Sequence, residues 1–278
     1  MSEYTFAPSE QLPKLKKMGE MVMQKKVIAV VTGASSGLGK EFTKLMLQEQ
    51  VNEVWAIARN KENLARLKHL LGKKIRCISL DLSDREAIKE FQKILKKEQP
   101  AIRYLVNNAG YDKFCSYKEL GMEESLNMID LNCSAVVAMG LVCIPYMRKG
   151  SHIINIASQA SFQPLPYQNI YAATKAFVRN YSRALNVELK GTGIKVTAVC
   201  PGWVDTALFE RANIGAEQTI KNFWGMVKPE RVVRQALKDA KSGKDISVCS
   251  LYVKFCHVIA KILPQRIMMK LWLWQQKM

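Results

Sequence analysis

Histidine is scarce in this chain: His69, His152 and His257 lie far apart and form no cluster with the spacing of a metal site. The seven cysteines are odd in number and make no C-x-x-C pair. That argues against a disulfide scaffold and fits free thiols in a reducing compartment. The N-terminus "MSEYTFAPSEQLPKLKKMGEMVMQKK" carries acids early and has no apolar core, so it does not read as a signal peptide. No uninterrupted apolar run reaches transmembrane length; the nearest, "ISVCSLYVKFCHVIAKIL", is broken by Lys254, His257 and Lys261. A cytoplasmic protein is expected. Acids are few, 24 against 42 basic residues, for a formal charge of +18. No aromatic-basic interleaving or DNA- or RNA-binding pattern accompanies that charge, so nucleic acid is not the expected partner. A solvated basic exterior ranks ahead of an anionic ligand or an anionic membrane surface.

What is present is an alternation. The apolar runs "VIAVV" (27–31), "VWAIA" (54–58), "IRCISL" (75–80), "IRYLV" (102–106), "HIINIA" (152–157) and "IKVTAV" (194–199) are separated by stretches of helical period, and "ISVC" (246–249) adds a short last run. Strands covered by helices on both faces read as continuous apolar runs. The pattern predicts a single doubly wound parallel α/β sheet, Rossmann-type, spanning residues 26–249. Residues 1–25 read as an appended arm and 250–278 as an apolar-basic helical extension. No acid follows Asp245, whereas Lys254, Lys261, Arg266, Lys270 and Lys277 remain. In the extension, Leu251, Phe255, Val258 and Ile262 form an apolar stripe before Pro264.

The first strand-to-helix turn, "VVTGASSGLGK", places Gly33, Gly37 and Gly39 where a dinucleotide fold needs backbone close to a pyrophosphate at a helix N-terminus. Alone this is a tight turn as readily as a binding loop. Further motifs follow in order: "DL" (81–82), "NNAG" (107–110), Ser158, "YAATK" (171–175) and "PGWVDT" (201–206). Together they resemble the short-chain dehydrogenase/reductase family over about residues 26–249.

The resemblance implies a nicotinamide cofactor. Gly33, Ser35, Ser36, Gly37, Leu38 and Gly39 would cradle its phosphates, and Asp81 with Leu82 would face the adenine. Asn108, with Ala109 and Gly110, would hold the central strand near the ribose. Pro201, Gly202, Val204 and Thr206 would meet the nicotinamide carboxamide, and Tyr171 and Lys175 would also touch the cofactor. In "AIARN", Ala58 stands where NAD-preferring relatives carry an acid, and Arg59 follows. A guanidinium suits a 2′-phosphate, so NADP(H) is expected over NAD(H). Ser36 stands where many NADP-preferring relatives have a second base.

Tyr171 and Lys175 are four apart and share a helix face. An ammonium beside a phenol favours phenolate, so a lowered tyrosine pKa is expected. The resemblance makes Tyr171 the proton donor or acceptor, Ser158 a partner of the substrate oxygen and Asn132 the holder of a water relay to Lys175. Ser161 is a weaker substitute for Ser158, and Tyr167 and Tyr181 are candidate pocket walls.

For the substrate, the segment 207–228 is a candidate lid whose Leu208, Phe209, Phe223, Trp224 and Met226 suggest an apolar pocket; docking of the lid itself explains them equally. Three readings stand. The first is an oxidoreductase of a secondary alcohol or ketone on a lipophilic molecule, with a hydroxysteroid as first guess. The second is a 3-oxoacyl thioester reductase. The third is a non-catalytic NADP(H)-binding regulator, against which an intact Ser158–Tyr171–Lys175 set argues. The extension could pack on the chain, on a sister subunit or on a membrane, and packing ranks first. The family implies a homodimer or homotetramer built on the helices that begin near Met122 and Tyr167.

Overall fold

The apolar runs become strands buried on both faces. The computed structural model describes residues 25–206, 212, 220 and 222–278. The expected arm at 1–25 and the lid residues Leu208 and Phe209 fall, but for Lys25, outside the described residues. The strands are β1 (Val27–Thr32), β2 (Glu53–Ala58), β3 (Ile75–Ser79), β4 (Ala101–Asn107), β5 (Met147–Ile156), β6 (Lys195–Val199) and β7 (Ile246–Ser247). They form one sheet in the order β3-β2-β1-β4-β5-β6-β7, with every pairing parallel. β5 begins five residues before its apolar run, because Met147 pairs beside Ile102 and Gly150, at φ 84, lets the strand turn there.

The helices are α1 (Gly37–Met46), α2 (Lys61–Leu71), α3 (Arg85–Glu98), α4 (Met122–Ile129), α5 (Ala135–Cys143), α6 (Asn169–Glu188), α7 (Pro229–Lys241), α8 (Leu251–Ile262) and α9 (Gln265–Gln276). Alternate residues of β1 serve opposite faces. Ala29 and Val31 belong to the core with Phe42 and Met46 of α1 and Val232 and Val233 of α7. Ile28 and Val30 belong to the core with Phe91 and Leu95 of α3 and Met139 of α5. This two-sided burial is why the strands show no polar alternation. Phe91 meets Trp55 edge to face at 6.1 Å. Each such ring contributes about 1.5–3 kcal/mol by leaving water. Asn60 and Asp84 cap α2 and α3 by accepting from the Asn63 and Glu86 amides at 2.7 and 2.9 Å.

Between α4 and α5 the chain makes one π-helical turn, Asp130–Ser134, whose central residue is the fully buried Asn132. Such bulges re-aim one side chain without ending the helix. The stretch Met122–Tyr146 is, by length and composition alone, long and apolar enough to cross a bilayer, but half of its apolar window is buried inside the protein. It contributes Met128, Leu131, Ala135 and Met139 to the core below the sheet.

The extension departs from expectation. α8 and α9 do pack on the domain, but through Val253, Ala260, Met268 and Trp272. The stripe Leu251, Phe255, Val258 and Ile262 faces outward, 53–79% exposed. Helical period marks an apolar face but does not say which face meets the core. Here α8 turns Val253 and Ala260 inward, with Tyr252 and Ile259 packed beside them and His257 stacked on Phe162 at 3.9 Å.

Candidate active site

The sheet order reverses between β1 and β4, so the loops leaving their C-terminal ends diverge and open a crevice. A cleft of about 470 Å³ occupies that position. At one end it is bounded by the turn from β1 to α1. Gly33 and Gly37 have φ of 60 and 49, left-handed values that other residues rarely adopt. A Cβ on Gly39 would sit 2.0 Å from the Gly33 carbonyl oxygen, so helix and turn can close only on a glycine. Ser36 leads into α1 without a side-chain cap, which leaves the first amides of the helix for a ligand. Asn108 ties β4 to this turn, its amide group donating to the Thr32 and Gly33 carbonyls at 3.0 and 3.2 Å. The cradle and the free helix start fit the pyrophosphate of a dinucleotide.

Beyond β2, Arg59 lines the cleft and reaches Asp81 at 3.4 Å. Burial would raise the Asp81 pKa, but hydrogen bonds from Ser83 and the charge of Arg59 hold it below its ordinary value.

The other end is desolvated. Ser158, two residues past the end of β5, accepts from the Ala160 amide at 3.1 Å and lies close enough to the Tyr171 phenol to act on its acidity. Lys175, on the same face of α6, lies with its ammonium 5.6 Å from the Tyr171 ring centroid and donates to the Ile156 carbonyl at 2.9 Å. Burial lowers the Lys175 pKa to about 8. Burial and the nearby Asp112 raise that of Tyr171 above its ordinary value, with the Ser158 hydroxyl pulling the other way. This reverses the expected lowering. The cost of a buried phenolate exceeds what an ammonium spent on a backbone carbonyl supplies. Tyr171 is thereby held as a neutral acid beside a serine hydroxyl, an arrangement that can protonate an incoming oxygen.

Asn132 stands behind this wall. Its side-chain amide donates to the Tyr111 carbonyl and Thr174 hydroxyl at 3.0 and 3.1 Å, and its oxygen accepts from the Tyr111 amide at 3.1 Å. It thus fastens the loop after β4 to α6. Of the residues predicted to touch a cofactor, Gly33, Ser35, Ser36, Gly37, Leu38, Arg59 and Leu82 line the cleft. So do Asn108, Ala109, Gly110, Tyr171, Lys175, Pro201, Gly202, Val204 and Thr206. Gly39 and Asp81 sit just behind the lining, supporting Gly33 and Arg59.

Other candidates go elsewhere. Ser161 is turned to the Cys200 thiol at 3.7 Å, because its short 3-10 turn points it under β6. Tyr181 stacks on Phe177 at 6.0 Å, packs against the core beside Gly140 of α5 and is not a cleft wall. Tyr167 lends its carbonyl to the Cys115 amide at 3.1 Å and is not a cleft wall. In the candidate lid, Phe223 packs edge to face on Trp203 at 5.0 Å, whereas Trp224 and Met226 are exposed.

A sequence profile described as short chain dehydrogenase matches residues 27–217. The chain belongs to the short-chain dehydrogenase family. As a short-chain dehydrogenase it is an oxidoreductase with a nucleotide-cofactor site. It is 37% identical over 211 residues to the NADP-dependent 3-hydroxy acid dehydrogenase of Escherichia coli, covering 70% of this chain and 82% of that one. A short-chain dehydrogenase from Sphingobium yanoikuyae in complex with NADPH superposes with a TM-score of 0.72 at 27% identity, over 87% of this chain and 94% of the other. A closed serine dehydrogenase complexed with NADP+ does so at 0.70 and 32% identity, over 81% and 95%.

Among the cleft residues that escaped sequence reasoning are two polar ones beside the candidate catalytic group. Asp112 and Gln168 are both buried in the lining beside Tyr171. An acid two residues past "NNAG", where a strand ends at the ligand edge, was the available signal for the first. Gln168 sits at the start of α6, one turn before Tyr171, and nothing in its own type marked it.

Proposed function

We propose that the protein is an NADP(H)-dependent oxidoreductase that interconverts a secondary alcohol and a ketone on a largely apolar substrate. The observation that carries the reading is the placement of Ser158, Tyr171 and Lys175 together on the wall of the cleft that the glycine turn bounds at its other end, with the Lys175 ammonium 5.6 Å from the Tyr171 ring centroid. A bound nicotinamide supplies hydride transfer at its ring carbon. In reduction, Ser158 and Tyr171 receive the carbonyl oxygen, and the Tyr171 hydroxyl donates the proton to the forming alkoxide. Lys175 holds positive charge beneath the phenol and stabilises it as the proton leaves. Asn132 keeps the loop after β4 in register with α6, so that this geometry persists.

NADP(H) is favoured by Arg59 on the cleft wall with no acid at Ala58. The substrate end is walled by Leu165 and Trp203, within a cluster that includes Phe114, Ala160 and Trp272. Steroid ketones are therefore the first class to test, beside 3-oxoacyl thioesters and hydroxy acids, the last because a relative carries that activity in its name. The test is oxidation of NADPH and NADH, followed in parallel with these three classes. Consumption with at least one carbonyl, faster with NADPH, is expected. Tight NADPH binding with no consumption would favour a regulator instead.

Exposed Leu126, Ile129, Leu141, Phe177 and Val187 on α4, α5 and α6 support assembly into a homodimer or homotetramer across these helices. The seven unpaired cysteines fit a reducing compartment such as the cytoplasm. The outward stripe of α8, with Ile267, Leu271 and Trp274 exposed on α9 and lysines beside both, favours peripheral contact with an anionic membrane. Co-sedimentation with phosphatidylglycerol vesicles, weakened in Phe255→Glu, checks this contact.

A further inference from the structure

One buried acid in the cleft has no task in the chemistry above. Asp112 is 2% exposed, and its two oxygens accept from neutral donors, the Lys113 amide at 2.7 Å and the Gln168 side-chain amide at 2.5 Å. A carboxyl placed there costs desolvation that neither donor fully offsets. Gln168 is 3% exposed, and its side-chain carbonyl oxygen is buried without a partner. Buried acceptors in native proteins are nearly always satisfied, so an orphan in a cleft wall points to a ligand. The residue before it, Tyr167, adopts a left-handed φ of 64, an unfavourable conformation for a tyrosine, and so sets the position of Gln168 at the head of α6. Both side chains line the cleft with Ser158 and Tyr171. Asp112 lies near both Tyr171 and Lys175.

We propose that Asp112 and Gln168 form a polar subsite that receives a hydroxyl group of the substrate, adjacent to the carbonyl that Tyr171 protonates. The substrate class is then a hydroxy-ketone, or the matching diol, carried on an apolar body. A hydroxyl both donates and accepts, so it satisfies the pair whichever way the Gln168 amide is turned. Burial pushes the Asp112 carboxyl well above its ordinary range, toward the neutral acid, which suits a neutral partner better than an ammonium. The ammonium of Lys175 nearby disfavours a second cation further. Selectivity follows from the penalty of binding a substrate without the hydroxyl, which leaves the buried Gln168 carbonyl oxygen unpaired.

This inference rests on carbonyl reduction at Tyr171, and the experiment separates the two. With NADPH, kcat/KM is measured for α-hydroxyacetophenone against acetophenone and β-hydroxypropiophenone against propiophenone. At least one hydroxylated member is expected to be favoured roughly ten- to hundredfold. That ratio should fall toward one in Asp112→Ala and in Gln168→Leu. A ratio taken within one preparation is insensitive to partial misfolding. Calorimetric titration of the NADP+-loaded protein with the same pairs should show the same preference in Kd. Turnover of both pairs without a preference in the native protein, or a preference that survives in both variants, overturns the subsite and leaves carbonyl reduction standing. Hydroxyl-selective binding with no turnover overturns carbonyl reduction and keeps the subsite. Stronger binding of α-aminoacetophenone than of its hydroxy counterpart overturns the assignment to a hydroxyl.

Discussion

At the nucleotide end of the cleft, Gly33, Gly37 and Gly39 present bare backbone, and the charges there, Arg59 and Asp81, keep 46% and 42% of their side chains in water. At the substrate end, Asp112, Ser158 and Lys175 are buried and Tyr171 is half-buried, and desolvation displaces the pKa values of Asp112, Tyr171 and Lys175. The first end recognises a charged ligand by close approach and an adaptable surface charge. The second stores its chemistry in desolvation. A site that binds needs access; a site that moves protons gains from exclusion of water, because there small displacements of charge change acidity most.

The comparison breaks first at Tyr171. Tyr171→Phe should lower kcat for any carbonyl substrate by about a hundred- to ten-thousandfold, the usual weight of a positioned general acid, while NADPH binding survives. Steady-state kinetics beside fluorescence titration of NADPH check both halves; undiminished turnover defeats the mechanism. Gly39→Ala acts at the opposite end. Its methyl group would press on the Gly33 carbonyl, an overpacking worth about 1–3 kcal/mol, so NADPH affinity should fall roughly tenfold or more and Tm should drop. Arg59→Ala is milder because the guanidinium is half exposed. A loss of about tenfold in NADPH affinity with NADH unchanged is expected, read as the ratio of the two Kd values.

The two ends also differ in how they respond to pH. Lys175 has a pKa of about 8 in the fold against 10.5 ordinarily. Between those values the unfolded chain holds the extra proton, so stability rises with pH across that window, by on the order of 3 kcal/mol. Urea denaturation at pH 8 and pH 10 should show the rise, and Lys175→Met should flatten it. Asp81 is lowered, so its contribution is present above its ordinary pKa and is lost as pH falls through the lower folded value. Solvent screening at this exposed pair makes Asp81→Asn hard to distinguish from the native protein near neutral pH.

The two ends also differ in how legible they were. The glycine turn could be read because left-handed φ and close approach demand one residue type, and Tyr171 with Lys175 because four residues make one helical turn. The doubly wound order followed from apolar runs alternating with helical period. Asp112 and Gln168 could not be paired in advance, since their hydrogen bond spans 56 positions and involves residue types that are commonly exposed. The π-turn at Asn132 was equally hidden: it comes from packing between the loop after β4 and α6, not from local preference. The direction of the Tyr171 shift was misread for the same reason. Sequence shows which charges are near along a helix, but burial is a property of everything packed around them.

By itself, then, the order of residues determined the strands, the glycine cradle and the phenol–ammonium pair, because each rests on interactions within a few positions along the chain. Only the tertiary structure decided which face of α8 turns outward, which acids lose their water and which polar atoms are left facing the cleft. Those outcomes depend on how much solvent the assembled layers exclude, and no local stretch of chain carries that quantity.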